Sequence, residues 1–134
     1  MRYGDHSFFQ TGIAVPVFSL RTQNSVGIGE FLDLIAFGQW TKRCGLNLIQ
    51  ILPVNDTGWE SSPYSARSAF ALNPVYINMQ VVRGSDDFKD EIVAAQTKFG
   101  KEPRVPFGDV TRWKRSMLRN IFDNRFEKLE KKQK

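Results

Sequence analysis

The chain has one cysteine, Cys44, and one histidine, His6, in 134 residues. A single thiol forms no internal disulfide and cannot supply a four-cysteine metal site. A histidine with no second histidine or cysteine nearby offers no ligand set, so no metal is expected. This usage fits a reducing compartment, and the cytoplasm is the expected location. No apolar run approaches the ~20 residues that cross a bilayer, and Met1-Arg2-Tyr3-Gly4-Asp5-His6 has none of the apolar core of a secretory leader. Neither a membrane partner nor export is expected. Phosphate-binding signatures are also missing. After Gly27-Ile28-Gly29, Leu32 stands where a dinucleotide fingerprint needs its third glycine, and no G-K-[ST] follows, so the two glycines read as a flexible strand-to-helix turn. Ser19, Ser25 and Ser62 lie outside any G-x-S-x-G context and are not activated nucleophiles.

What is present is an ordinary globular composition, 41% hydrophobic and 25% charged, of one domain's length. The net charge of +5 is concentrated in one segment. Asp109 to Lys134 carry nine Lys or Arg against four Asp or Glu, whereas residues 1–108 carry ten of each. Val110, Trp113, Met117, Ile121, Phe122 and Leu129 recur there every three or four residues, which predicts an amphipathic helix over 109–134 with Asp109 as its N-cap. Its basic face then reads as a solvated face. No aromatic-interleaved basic motif points to nucleic acid as a partner.

Gly12 to Leu20 is nearly all apolar, as a parallel strand covered on both faces should be, although Pro16 removes one ladder donor. Phe31, Leu32, Leu34, Ile35, Phe37 and Trp40 follow on a helix that stops near Cys44-Gly45. Leu46, Leu48, Ile49, Ile51 and Leu52 make a second buried strand closed by Pro53. The unit is βαβ and the fold class α/β. A third strand is expected at Val75 to Val82, followed by two helical segments.

Parallel βα proteins place ligand groups just after the carboxyl ends of their strands. Strand two runs into Asn55-Asp56-Thr57-Gly58-Trp59-Glu60-Ser61-Ser62-Pro63-Tyr64. Sugars offer flat C–H faces that stack on aromatic rings, and hydroxyls that need short polar partners. Trp59, Ser62, Tyr64, Ser65 and Asn73 supply both kinds, yet aromatic rings in such a segment are more often packing groups. Asp56 can hydrogen-bond a sugar or cap the Asn-Asp-Thr-Gly turn, and turn capping is the commoner role.

Several separated motifs change that balance: Gly12 to Arg21 ("AVPVFSLR" within it), Gly27 to Leu34, Leu48 to Thr57 ("ILPVNDT" within it), Ser62-Pro63-Tyr64-Ser65 and Ser68 to Pro74. In this order and spacing they closely resemble the start of the catalytic domain of the 4-α-glucanotransferases (amylomaltases, disproportionating enzymes, glycoside hydrolase family 77). The wording is most similar to the plant-cytosolic and Bacteroides-like branch, which carries starch-binding domains before the barrel. The likeness covers about 70 residues, Gly12 to Gln80, and is loose over 81–134. It implies the first βα units of an incomplete (β/α)8 TIM barrel acting on α-1,4-glucans and maltooligosaccharides without a cofactor.

Retaining transfer of that kind uses two carboxyl groups about 5 to 5.5 Å apart. In the resembled family these come from later strands, and a (β/α)8 barrel takes ~250 residues. The sequence is therefore expected to be an inactive piece needing the rest of the barrel as partner. By the same resemblance, Tyr64 matches the Ser-Pro-Tyr tyrosine that packs on the donor sugar. Trp59 falls at an aromatic of a further glucan-binding position, Ser62 opens the Pro63-Tyr64 pair, and Asn73 precedes Pro74 where the chain returns to the fold. The stretch between Asp56 and Ser62 is shorter than in the resembled proteins. A stand-alone glucan-binding module and a small basic interaction protein remain as alternatives.

Overall fold

The computed structural model describes residues 10–132. His6 lies outside them. The elements are strand β1 (Gly12–Val15), helix α1 (Asp33–Arg43), strand β2 (Leu48–Ile51), helix α2 (Lys89–Gly100) and helix α3 (Phe107–Lys132). β1 and β2 pair in parallel, Gly12 opposite Leu48 and Val15 opposite Ile51, with α1 as the crossover. This is the expected α/β unit, with shorter strands. Pro16 has no N–H to continue the ladder, and residues Val17–Ser19 close into a 3-10 turn instead of extending β1 to Leu20. Helix α1 ends as its sequence suggests. Gly45 takes φ +76, its N–H donates to Lys42 O at 3.1 Å and Leu46 N–H reaches Thr41 O at 3.0 Å, the paired bonds of a Schellman end.

Two expectations about the strands are overturned. The strands are not covered on both faces: Leu48 and Ile51 are exposed, as are Ile35 and Trp40 of α1. The described residues provide no further strand or helix layer over these groups. Residues Val75 to Val82 are not a strand but two 3-10 turns, Pro74–Tyr76 and Met79–Val81. Each is capped by an asparagine: Asn73 Oδ1 accepts from Val75 N at 3.1 Å and Asn78 Oδ1 from Gln80 N at 3.0 Å. Local side-chain acceptors of this kind draw backbone donors away from a sheet ladder.

The core lies elsewhere. Val17, Val26 and Ile28 from the β1–α1 connection meet Val75, Tyr76 and Met79, and α2 and α3 cover them with Ile92, Ala95, Phe99, Val110, Met117 and Ile121. Met117 and Ile121 face inward as their spacing predicts, and Trp113 packs half-buried with its ring edge-on to Phe99. Phe122 and Leu129 depart from the stripe and are exposed. The helix also starts two residues before Asp109, which sits in the first turn and pairs with Arg112 at 3.0 Å rather than capping.

Gly27 turns the strand-to-helix connection with φ +68, and both it and Gly29 are also closely packed. A Cβ on Gly27 would lie 2.4 Å from Phe99 Cβ, and one on Gly29 would lie 2.0 Å from Val17 O. The backbone between them turns inward and delivers Glu30, fully buried, to α3. Lys114 Nζ donates to Glu30 Oε1 at 2.5 Å, to Val75 O at 2.7 Å and to Ile77 O at 2.9 Å. Glu30 Oε1 also accepts from Val26 N at 3.2 Å, and Oε2 from Asn78 Nδ2 at 2.7 Å. Three acceptors suit the three protons of an ammonium, and three donors suit a carboxylate. Burial nevertheless pushes the Glu30 carboxyl above its ordinary range, against the pull of Lys114, and pushes Lys114 below its own, against the pull of Glu30.

Gly29→Ala is expected to lower stability by more than about 2 kcal/mol, because the clashing partner is backbone, whereas Gly100→Ala, with open space around it, should change it by no more than about 1 kcal/mol. Urea unfolding followed by far-UV circular dichroism measures both, and equal effects would contradict the packing role. Glu30→Gln or Lys114→Met alone should cost about 3–5 kcal/mol by stranding the other charge, and the double variant should lose less than the sum.

The pH dependence has a definite sign. The raised carboxyl contributes stability that is present at acid pH and lost as pH rises through its folded value. The lowered ammonium contributes stability that is present above the ordinary lysine range and lost as pH falls through its folded value. The advantage of the natural chain over the double variant should therefore be smallest near neutral pH. A maximum there in a series of urea midpoints would refute the assignment.

Candidate functional site

The residues after β2 form a closed loop. Asn55 and Leu72 make an antiparallel bridge. Asp56 N–H donates to Ala71 O at 2.8 Å, and Asn73 N–H to Val54 O at 2.9 Å. The loop follows the carboxyl ends of the two parallel strands, where βα folds carry ligand groups. Gly58 turns it sharply with φ +66.

Asn73 is the fastener. Its side chain is buried, with Oδ1 capping Val75 and Nδ2 donating to Thr57 Oγ1 at 3.3 Å. Thr57 Oγ1 in turn donates to Glu60 O at 2.6 Å. Asp56 performs the expected turn capping, since its Oδ1 accepts from Gly58 N–H at 2.8 Å. The same oxygen accepts from Arg115 Nη2 of α3 at 3.2 Å, and the Arg115 Cζ lies 5.3 Å from the centroid of the Trp59 ring. Asp56, Trp59 and Arg115 thus form one cluster.

The aromatic rings of the loop face outward. Trp59 is 59% exposed, Tyr64 72% and Phe70 94%. Ser62 is exposed, and its Oγ lies 3.4 Å from Tyr64 N, at the turn closed by Ser65 N–H donating to Ser62 O at 3.1 Å. Of the five residues singled out from sequence, Trp59, Ser62 and Tyr64 are on the surface of the loop, Asp56 is half-buried at its base, and Asn73 is inside. Arg115 and Phe70 were missed. Phe70 lies in one of the motifs used above. Arg115 follows a lysine that occupies an apolar-stripe position, and a lysine in the phase of Val110, Met117 and Ile121 is the signal that would have marked this stretch as inward-facing. Among the described residues no group of three or more His, Cys, Asp or Glu is arranged to hold a metal.

Comparison with known proteins shows the family. The family described as 4-alpha-glucanotransferase matches residues 15–134. Over 127 residues the chain is 41% identical to the 4-alpha-glucanotransferase of Chlamydia trachomatis serovar D, covering 90% of this chain and 23% of that one. Identity is also 41% over 127 residues with the 4-alpha-glucanotransferase DPE2 of Oryza sativa subsp. japonica, covering 90% of this chain and 13% of that one. The crystal structure of amylomaltase from Corynebacterium glutamicum matches the fold with a TM-score of 0.76 at 25% identity, over 84% of this chain and 18% of that one. The chain belongs to the 4-alpha-glucanotransferase family, glycoside hydrolase family 77. It spans less than a quarter of the length of these relatives.

Asn73→Ala removes a cap and a buried tie together, and should cost about 1–2 kcal/mol. Amide hydrogen exchange should quicken across 56–72 and stay unchanged in α2. Uniform quickening in both regions would show that Asn73 holds the whole fold and not the loop in particular.

Proposed function

We propose that the chain forms the first βα units of the (β/α)8 barrel of a 4-α-glucanotransferase, and that its 56–73 loop is a wall of the glucan-binding cleft. The observation that carries this reading is the pair of exposed rings, Trp59 and Tyr64, on an internally fastened loop at the carboxyl ends of parallel strands. Tyr64 packs on the donor sugar, Trp59 on a neighbouring stretch of glucan, and Ser62 offers a hydroxyl at the rim. Asp56 and Asn73 act through the loop: the carboxylate of Asp56 is taken by Gly58 and Arg115, and the amide of Asn73 by Val75 and Thr57. Retaining transfer needs a nucleophilic carboxylate and an acid/base carboxyl about 5 to 5.5 Å apart, which this reading assigns to later strands of the family's barrel. The outer edges of β1 and β2, unpaired among the described residues, are where neighbouring strands of that barrel would add. The reading places the protein in the cytoplasm; among the described residues, no helix is long and apolar enough to cross a membrane.

The glucan-binding module shares the same rings and differs only in lacking the chemistry. A basic interaction protein has less support, because Arg112, Lys114, Arg115 and Lys128 of α3 pair with Asp109, Glu30, Asp56 and Asp87.

Affinity electrophoresis through amylose tests the proposal. Tyr64→Ala should weaken retention about tenfold and Tyr64→Phe no more than about threefold, since the ring supplies most of the contact and the hydroxyl one hydrogen bond. Unchanged mobility of a folded Tyr64→Ala protein would remove Tyr64 from the site.

A further inference from the structure

Arg115 reaches the loop from α3, 59 residues along the chain from Asp56. Its Nη2 donates to Asp56 Oδ1 at 3.2 Å and its Cζ stands 5.3 Å from the Trp59 centroid. Its Nε is buried and has no partner among the described residues. A buried donor without an acceptor is unfavourable, so the hydrogen bonds of Arg115 alone do not account for its placement. The carboxylate and the ring face hold it there, and a planar guanidinium can stack on an indole in a way an ammonium cannot.

We propose that Arg115 is a positioning residue for glucan binding, clamping one face of the Trp59 indole so that the other is presented to the C–H face of a glucose unit. The proposal rests on the glucan reading of the loop and deepens it. The clamp is continuous: guanidinium to Asp56 carboxylate, carboxylate to Gly58 N–H, Gly58 to Trp59. Its aim is set by Lys114, because the buried ammonium fixes the rotation of α3 and the next residue lies about 100° further round the helix. A ring held in this way loses less freedom when sugar binds.

The test is a titration of the ¹⁵N-labelled chain with maltoheptaose, following the indole N–H signals, with that of Trp59 assigned by Trp59→Phe. Arg115→Met should move the Trp59 signal and leave those of Trp40 and Trp113 in place. It should weaken maltoheptaose binding on the order of threefold to tenfold. Arg115→Lys should restore part of the affinity, and Arg115→Met should add nothing in a Trp59→Ala background. Should Arg115→Met fail to fold, Asp56→Asn keeps an acceptor for Gly58 while removing the charge, and should weaken binding in the same direction. Maltoheptaose binding through Trp59 that is indifferent to Arg115→Met or Asp56→Asn would overturn the clamp alone. A natural chain in which maltoheptaose moves neither the Trp59 nor the Tyr64 signals would overturn the glucan reading and the clamp with it.

Discussion

The buried contact between Lys114 and Glu30 is the interaction on which the other packing depends. It joins three stretches that are far apart in sequence: the turn that follows Gly29, the 3-10 segment whose carbonyls at Val75 and Ile77 receive the ammonium, and the long helix α3. A buried ion pair is not in itself a large source of stability, because desolvating both charges offsets most of their attraction. Here its effect is one of register. An ammonium with three required acceptors fits at one rotation and one height of α3, so Val110, Met117 and Ile121 fall against the core and Arg115 against the loop.

That geometry makes the loop a dependent of the helical core. Asn73 connects the two, since it caps the turn that carries Val75 and also ties Thr57 inside the loop. The exposed rings of Trp59 and Tyr64 therefore stand on a segment closed at its base by backbone bonds and braced on one flank by α3. Exposed aromatic rings on an unfastened loop would lose most of their binding energy to ordering. The fastening is what makes the glucan assignment physically reasonable.

Much of this was legible in the sequence where local chemistry decides the outcome. Gly45 after a helical pattern marked the end of α1, and the spacing of Val110, Met117 and Ile121 marked the inward face of α3. Pro16 showed a missing ladder donor, but the strand was still expected to run to Leu20. The separated motifs from Gly12 to Pro74 carried the family. What could not be read depends on contacts between distant residues. Lys114 looked like one of several solvated charges, and only its phase among apolar neighbours hinted at burial. Arg115 could be placed near Trp59 only once the rotation of α3 was known. The Val75 to Val82 stretch was misjudged because its hydrophobic content outweighed Asn73 and Asn78, whose side chains cap turns. Gly27 and Gly29 were read for flexibility, while the close approach of Phe99 and Val17 requires them for packing.

The two-stranded sheet contributes little to this arrangement. A pair of short parallel strands is marginal by itself, and Leu48 and Ile51 remain exposed on it. The buried apolar residues belong instead to the β1–α1 connection, the 3-10 segment and helices α2 and α3. In a barrel, strands fix where their loops lie; here the loop is fixed from the opposite side, by a helix packed beyond it. The loop surface proposed to face the glucan can then be ordered by contacts within residues 17–121, while the outer edges of β1 and β2, unpaired among the described residues, stay free to accept neighbouring strands. A division of that kind separates what shapes the proposed site from what would close the proposed barrel. Substitutions at Leu48 or Ile51 and substitutions at Lys114 therefore act on different parts of the same protein, the first on the sheet and the second on the loop proposed to meet the sugar.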